Sequence, residues 1–254
     1  MKILVLVKQV PDTWGERSLD SVTGALIRTT GEQVIDEIDE RALEVALQYK
    51  DATNAEVVAV TMGPARAIDV LRKSLAMGAD SGIHLVDDSL AGSDLGWTAR
   101  ALAGVIALDG FDLVIAGNES TDGRGGVIPA MIAEHLGVPN ATFLDTVTIA
   151  PNSVAGERAT DYGTVDVSAS LPAVISITER SAEPRFPSFR GILGAKKKPV
   201  KTISLSDLQL DSEPSRSLVH STSKRPPHSA GTKVIDAGDA GMQLAKFLAD
   251  NRLI

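Results

Sequence analysis

The chain has 254 residues, of which 43% are hydrophobic and 23% are charged; this ordinary globular composition can bury a core and excludes disorder along the whole chain. It carries 25 basic and 33 acidic residues, for a net charge of −8, which argues against a nucleic-acid-binding protein because those usually present a basic surface. There is no cysteine and there are four histidines, which excludes disulfides and Cys-ligated clusters and leaves little for a metal site.

The N-terminal apolar run, residues 3–7, is too short for the hydrophobic region of a secretion signal. No stretch approaches the ~20 apolar residues that a membrane helix needs. The sequence therefore predicts a cytoplasmic protein with no segment inserted in a membrane.

Strands and helices alternate four times in the first part of the chain. Short apolar runs predict strands, and apolar residues at helical spacing predict the helices between them. The predicted strands are 3–7, 56–61, 82–86 and 112–116, and the predicted helices are 36–50, 64–77, 94–108 and a segment that follows residue 126 and ends at Gly137. A short hairpin is predicted near residues 25–28. This alternation predicts an α/β fold, a doubly wound, mostly parallel sheet flanked by helices.

The pattern changes after about residue 140, where the helical period is lost. We predict an antiparallel extension of the same sheet, a long irregular loop, an extended arm rich in Ser, Pro and Lys, and a short amphipathic helix. The extension comprises residues 146–149, 154–160, 164–168 and 173–177; the loop is 180–200, the arm 211–233 and the helix 239–253. The chain is thus divided into an α/β domain, residues 1–210, and a C-terminal arm with its helix, residues 211–254.

A glycine-rich segment, residues 117–126, follows a predicted strand and opens a predicted helix. Ligands of doubly wound sheets bind outside the carboxyl ends of strands, and a helix N-terminus attracts phosphate. Glycines allow the backbone to approach an anion, and hydroxyl groups and an arginine can bind it. The residues concerned are Gly117, Ser120, Thr121, Gly123, Arg124, Gly125 and Gly126. A polar connection whose glycines serve only its turns fits the same pattern.

Two further strand exits, residues 8–12 and 61–64, either line the same crevice or are purely structural. The Walker pattern and the Rossmann fingerprint are both absent, so neither ATP hydrolysis nor classical NAD binding is supported. The chain also contains no G-x-S-x-G or H-E-x-x-H motif. The sequence therefore predicts no catalytic residue.

The segment 183–193 holds two of the five phenylalanines and several cations, and the lysines 196–198 follow it. Exposed aromatic side chains with a charged rim are typical of a surface that binds a partner. The alternative is that Phe186 and Phe189 fold back into the core while the lysines form a solvated face.

The chain resembles the electron-transfer flavoprotein beta subunit family in a series of blocks. They are VKQVPD (7–12), DERALEVAL (39–47), GPARAIDVLRKSLAMGAD (63–80), DLVIAGNESTD (112–122), LPAVISI (171–177), EPRFPSFRGILGAKKK (183–198) and PPHSAGTKV (226–234). The blocks 75–80 and 183–198 are the most specific. The resemblance extends from residue 1 to the C-terminal helix.

The resemblance implies an electron carrier without an autonomous catalytic site. It implies a heterodimer with an alpha subunit, and the redox-active FAD is bound mainly by that alpha subunit. It also implies a structural AMP in the beta subunit. Electrons would come from flavin dehydrogenases, such as the acyl-CoA dehydrogenases of fatty acid oxidation, and leave through a quinone oxidoreductase to the respiratory chain. Carried over by position, the nucleotide contacts are Leu6, Val7, Lys8, Asp36, Met62, Gly117, Ser120, Asp122, Gly123, Arg124, Gly125, Gly126, Val127 and Ile128.

The loop at residues 183–193 resembles the recognition loop with which the family docks dehydrogenases. Phe189 occupies the position of the family's apolar anchor, which is usually leucine, and its burial would contribute ~1.5–3 kcal/mol. The residues implied in partner binding are Glu183, Arg185, Phe186, Phe189, Ile192, Leu193, Lys196, Lys197 and Lys198. The arm and the C-terminal helix, residues 211–254, are expected to contact the alpha subunit.

The chain departs from the family pattern near the implied nucleotide site and at Ala159, where many members have Glu after an arginine. Asp36-Glu37 stands where many members have Asn-Pro, and residues 118–126 differ from the usual nucleotide loop, so a nucleotide would be held by backbone groups and Arg124. Asp122-Gly123 is similar to electron-bifurcating members, whose beta subunit holds a second FAD, and that remains an alternative to AMP. A universal-stress-type adenine-nucleotide-binding module is a second alternative, but it would not explain the loop 183–193 or the arm.

Overall fold

The structure, a computed structural model, describes residues 1–28, 31–211, 214–223, 226 and 231–254. The chain divides into two compact units, Met1–Ser221 and Thr222–Ile254. The functional division that we predict at residue 210 remains a prediction.

A seven-stranded sheet forms the centre of the first unit, and each neighbouring pair of its strands is parallel. In spatial order the strands are β12 (Val200–Ile203), β5 (Ser81–Leu85), β4 (Glu56–Met62), β1 (Lys2–Leu6), β6 (Leu113–Gly117), β11 (Ala173–Ile177) and β7 (Asn140–Leu144). The connecting helices are α1 (Glu37–Thr53), α2 (Ile68–Met77), α3 (Leu95–Asp109) and α4 (Ile128–Leu136). The predicted α/β class is confirmed.

Helices cover both faces of this sheet, which explains why its strands are continuously apolar. Alternate residues of a strand point to opposite faces. In β1, Ile3 and Val5 join a buried cluster with residues of α1 and α2, whereas Leu4 and Leu6 join a second cluster with residues of α3 and α4. Apolar side chains are therefore needed on both faces of each strand.

The antiparallel strands form a sheet of their own, and here the structure corrects a detail of the prediction. This three-stranded sheet consists of β8 (Thr148–Ile149), β9 (Ser153–Thr160) and β10 (Gly163–Ser170). The segment 173–177, expected in the antiparallel extension, instead runs parallel between β6 and β7. Its sequence AVISI is buried at every position, as an interior strand covered on both faces must be.

Several short elements escape the sequence analysis because three to seven residues carry little periodicity. The strands β2 (Gln9–Pro11) and β3 (Gln33–Ile35) pair antiparallel. The hairpin predicted near residues 25–28 is reduced to a single antiparallel bridge between Leu19 and Leu26. The loop predicted as irregular, residues 180–200, contains the helix α5 (Phe189–Ala195).

The second unit contains the predicted C-terminal helix, α6 (Ala240–Asp250). The described parts of the predicted arm between residues 211 and 233 carry neither helix nor strand. Residues 212–213, 224–225 and 227–230 of that arm lie outside the described residues. Across the part of the chain that the structure describes, no helix has the length and hydropathy to cross a membrane; the cytoplasmic location stays a prediction.

Candidate functional site

The first candidate site lies where the chain reverses its direction across the sheet. From β1 the chain adds β4 and β5 on one side and then crosses to add β6 on the other. Ligands of open α/β sheets bind at the carboxyl ends of the strands beside such a reversal. The ends of β1 and β6 and the glycine-rich loop that follows β6 meet at this point.

The strand ends offer mainly backbone to a ligand. Leu6 and Val7 have buried side chains that belong to the core, and the Val7 N–H donates to the Val60 carbonyl (2.8 Å). Met62, at the end of β4, is partly buried against the cluster on the α3 face. A ligand at this edge would therefore contact Leu6 and Val7 through main-chain atoms.

Asp36 fastens the glycine-rich loop to the start of α1. It is the N-cap of this helix and is fully buried. Its Oδ1 accepts from the Ile38 N–H (3.0 Å), and its Oδ2 accepts from both the N–H and the hydroxyl of Thr121 (2.7 and 2.8 Å). Both carboxylate oxygens are thus engaged by donors of this chain.

Asp39, one turn later on α1, bridges the ends of two strands. Its Oδ2 accepts from the Lys8 N–H (2.8 Å) and its Oδ1 from the Gly117 N–H (3.1 Å). A Cβ at Gly117 would lie 2.7 Å from that Oδ1, so the bridge requires glycine there. Burial, and then the neighbouring Asp36 carboxylate, raises the pKa of Asp39 well above its ordinary value, although the two N–H donors act in the opposite direction.

Asp122 is the centre of an ion-pair cluster within the loop. Its side chain is inaccessible to solvent and accepts from Lys8 Nζ (2.8 Å) and Arg28 Nη2 (2.7 Å). Burial alone would raise the pKa of this carboxyl, but the ion pairs and the hydrogen bonds of Lys8 and Ser120 outweigh it and hold the pKa well below its ordinary value. Lys8 Nζ also donates to Ser120 Oγ (3.1 Å).

The segment between β2 and β3 supplies a second clamp on the same loop. Arg17 donates to the carbonyl and, at 3.2 Å, to the hydroxyl of Thr121. It also donates to the Pro11 carbonyl (2.6 Å). Sequence reasoning missed Arg17, Arg28 and Asp39, because a single charged residue gives no local sign of a partner that lies from 31 to 104 residues away in the chain.

The outer face of the loop is exposed at Gly123, Arg124 and Gly125. The Gly123 N–H is already engaged, since it donates to Asp122 Oδ1 (2.7 Å) and Ser120 Oγ (3.3 Å). Beyond Gly126, which has a φ of 67°, α4 begins. The N–H groups of its first turn have no partners within the helix.

Among the buried polar atoms that lack hydrogen-bond partners within the described residues, two come from the strand ends at this edge. They are Asn118 Oδ1, directly after β6, and Thr61 Oγ1, near the end of β4. Buried polar groups are nearly always paired with protein, water or ligand. Each lies in a segment that the sequence predicts at this edge, residues 117–126 or 61–64, although the sequence does not single out either side chain.

The second candidate site is the loop 183–198 with α5. The phenylalanines do not fold into the core: Phe186 is 95% exposed and Phe189 79%. Ile192 and Leu193 are also exposed, as are Glu183, Lys196 and Lys197. These side chains together form an apolar surface with a charged rim.

Glu183, although exposed, pairs with Arg41 of α1 (2.9 Å). Two more of the residues implied in partner binding also contact this chain. Arg185 pairs with Glu44 and Asp51 of α1. Lys198 Nζ donates to the carbonyls of Leu75 (3.0 Å) and Ala79 (2.5 Å) at the end of α2. The Arg185 side chain thus holds the loop on α1, and the Lys198 side chain holds it at the end of α2.

The residues predicted for nucleotide and partner therefore separate into two sites. The glycine-rich loop lies at the carboxyl edge of the sheet. The helix α5 packs on the last turn of α2, and α2 runs back toward the amino ends of the strands. The packing is close, since a Cβ at Gly191 would lie 2.3 Å from the Ala76 carbonyl oxygen.

The fold is that of an α/β protein with a parallel sheet, and the first candidate site lies at the carboxyl ends of its strands. A family model described as the electron transfer flavoprotein domain matches residues 23–208. The electron transfer flavoprotein subunit beta of Mycobacterium tuberculosis is 46% identical over 99% of each chain. The chain belongs to the electron transfer flavoprotein family as a beta subunit, the component of an electron carrier that pairs with an alpha subunit.

More distant relatives agree over most of the chain. The electron transfer flavoprotein subunit beta of Thermoanaerobacterium thermosaccharolyticum is 37% identical over 83% of this chain and 81% of the relative. The subunit CarD of the caffeyl-CoA reductase-Etf complex of Acetobacterium woodii is 34% identical over 84% of this chain and 82% of the relative.

We expect Asp122→Asn to lower the free energy of unfolding at pH 7 by about 1–3 kcal/mol, because both ion pairs are lost while their cations are partly solvent-screened. A depressed carboxyl pKa stabilises the fold above the ordinary pKa of 3.8 and this contribution is lost as the pH falls below it. The difference from wild type in urea unfolding should therefore be smaller at pH 3 than at pH 7.

The matched control for this prediction is Asp161→Asn, at an exposed turn, which should change little at either pH. If Asp122→Asn lowered the free energy of unfolding by the same amount at both pH values, the ion-pair explanation would be contradicted.

Proposed function

We propose that this subunit contributes nucleotide binding and dehydrogenase docking to the heterodimer and contributes no catalytic residue. It binds AMP at the carboxyl edge of the sheet, while the alpha subunit holds the FAD that stores the electrons. The heterodimer accepts electrons from flavin dehydrogenases and passes them, through a quinone oxidoreductase, to the respiratory chain. The observation that carries this proposal is the exposed apolar surface at Phe186 and Phe189.

The carboxyl edge fits an adenine nucleotide in its donors and acceptors. The first turn of α4 and the Arg124 side chain offer donors to a phosphate. Asn118 Oδ1 and Thr61 Oγ1 lack partners among the described residues, and a ribose hydroxyl or an adenine amino group is the kind of donor they need. The nucleotide thus supplies what the polypeptide leaves unpaired.

Asp36 takes a supporting role in this proposal. The Thr121 N–H and hydroxyl and the Ile38 N–H engage both of its oxygens, so no oxygen is free of a protein donor. We therefore assign nucleotide contact to the loop and assign Asp36 the task of holding that loop in place.

The docking role rests on the exposed side chains of the loop 183–193. Large exposed aromatic residues at the centre of a charged rim are typical of binding hot spots. One relative carries in its name a complex with a caffeyl-CoA reductase, and this supports a CoA-ester dehydrogenase as the partner of the present chain. Phe189, on the exposed start of α5, is the proposed anchor.

The C-terminal unit is the proposed contact with the alpha subunit. Within the described part of the chain, no residue of its helix α6 is buried. Met242, Leu244 and Phe247 are all exposed on it. An apolar helix surface of this kind is stabilised when a partner covers it.

The first test is mass spectrometry of the small molecules released from the purified heterodimer, with flavin counted per dimer. One FAD and one AMP are expected. Two FAD without AMP would overturn the AMP assignment and would place a second flavin, as in bifurcating members, in the beta subunit. A chain that homodimerises and binds ATP without an alpha subunit would favour the stress-type alternative.

We expect Arg124→Gln to weaken nucleotide binding about tenfold or more, the equivalent of one charge-assisted hydrogen bond. Nucleotide retained per heterodimer after dialysis measures this. Arg180→Gln, a surface arginine next to Asp145, is the matched control and should retain the nucleotide. Full retention by Arg124→Gln would exclude its guanidinium from the phosphate site.

We expect Phe189→Ala to raise the KM of an acyl-CoA dehydrogenase for the heterodimer about tenfold, since truncating a buried apolar anchor costs ~1.5–3 kcal/mol of binding. The flavin content should stay normal. Steady-state kinetics with increasing heterodimer concentration measure the effect, and an unchanged KM would rule out Phe189 as the anchor.

A further inference from the structure

The exposed surface of the loop 183–193 is built on a helix that is not stable by itself. The helix α5 has seven residues, fewer than an isolated helix needs in water. Its exposed apolar side chains also make few contacts that could order it. The conformation that presents Phe186 and Phe189 must therefore be held by contacts behind the loop.

Arg41 of α1 makes two of these contacts, to the Ala182 carbonyl (3.1 Å) and to Glu183 Oε2 (2.9 Å). Arg185 makes a larger set. Its backbone N–H and Nε donate to Glu44 Oε2 (3.2 and 2.8 Å), and its Nη2 donates to Glu44 Oε1 (3.0 Å). The same Nη2 lies 2.8 Å from Asp51 Oδ2. One arginine thus fastens the beginning of the loop to two carboxylates of α1.

The folded state needs the ion pair between Arg185 and Glu44, because Glu44 is only 4% exposed. A buried carboxylate without a cation is strongly unfavourable. If the loop moved away from α1, Glu44 would lose its three donors from Arg185. The planar guanidinium of Arg185 fixes its orientation relative to the Glu44 carboxylate as well as the distance between them, which a lysine ammonium would not do.

The other end of the loop is held on α2. Arg72 Nη1 donates to the carbonyls of Ala195 (2.9 Å) and Lys198 (3.3 Å). Ser188 caps α5 by accepting from the Gly191 N–H (3.0 Å). Phe186 and Phe189 therefore project from a segment that is fixed on both sides.

We propose that Arg185, held by Glu44 and Asp51, is a positioning residue that fixes the loop in the conformation in which Phe189 docks a dehydrogenase. A binding surface that is already ordered avoids the entropic cost of ordering on association. Arg185 acts through Phe189 and does not itself contact the partner. This inference rests on the proposed docking function.

The test uses the complete heterodimer and an acyl-CoA dehydrogenase from the same organism, reduced by its substrate. Arg185→Met should raise the KM for the heterodimer about tenfold, with kcat, FAD content and reduction by dithionite unchanged. Arg185→Lys should restore part of the affinity. Arg180→Met, on an arginine that precedes the segment 183–193, is the control and should behave as wild type.

The double variant Arg185→Met/Phe189→Ala distinguishes positioning from direct contact. If Arg185 acts through Phe189, the double variant should raise KM no more than about twofold beyond Phe189→Ala alone. Effects that multiply to about a hundredfold would overturn the inference and indicate that Arg185 contacts the dehydrogenase independently.

Two further outcomes separate this inference from the docking proposal. An unchanged KM for Arg185→Met beside a raised KM for Phe189→Ala would overturn the positioning role alone. An unchanged KM for Phe189→Ala would overturn the docking role, and the inference with it. If Arg185→Met fails to fold, Asp51→Asn, at the exposed partner of Arg185, should show a smaller rise in KM, and a KM equal to wild type would count against the clamp.

Discussion

Two buried carboxylates at the start of α1 hold the carboxyl edge of the sheet together. Asp36 binds the loop at Thr121, and Asp39 binds the ends of β1 and β6 at Lys8 and Gly117. Each accepts from backbone N–H groups that would otherwise be buried without a partner, which costs ~1–3 kcal/mol for each group. The position of the glycine-rich loop, and thus the geometry of the proposed nucleotide site, depends on these bonds.

The charges around this crevice mostly neutralise one another. Lys8 and Arg28 pair with Asp122, and Arg17 binds carbonyl oxygens. These cations order the loop, so an anionic ligand meets chiefly backbone N–H groups and the exposed Arg124. This arrangement suits a structural nucleotide that stays bound, and it agrees with the absence of a Walker lysine from the sequence.

The helix α1 supports both candidate sites. Asp36 and Asp39, at its start, hold the glycine-rich loop. Glu44 and Asp51, on its later turns, hold Arg185. The face of α1 between them is packed on the sheet through residues such as Leu43 and Leu47. A single rigid helix can therefore fix a ligand site and a docking surface without any direct contact between the two.

The sequence by itself determined the parallel α/β class, the position of the glycine-rich loop, the start of α1 near residue 36 and the family, because hydrophobic period and turn residues are local patterns. Only the tertiary structure decided that Phe186 and Phe189 are exposed, that the segment 173–177 enters the parallel sheet, and that Arg17 and Arg28 clamp the loop. Those outcomes depend on contacts between segments that lie from 33 to 141 residues apart in the chain. Such contacts form when the core packs, and they leave no periodicity in the local sequence.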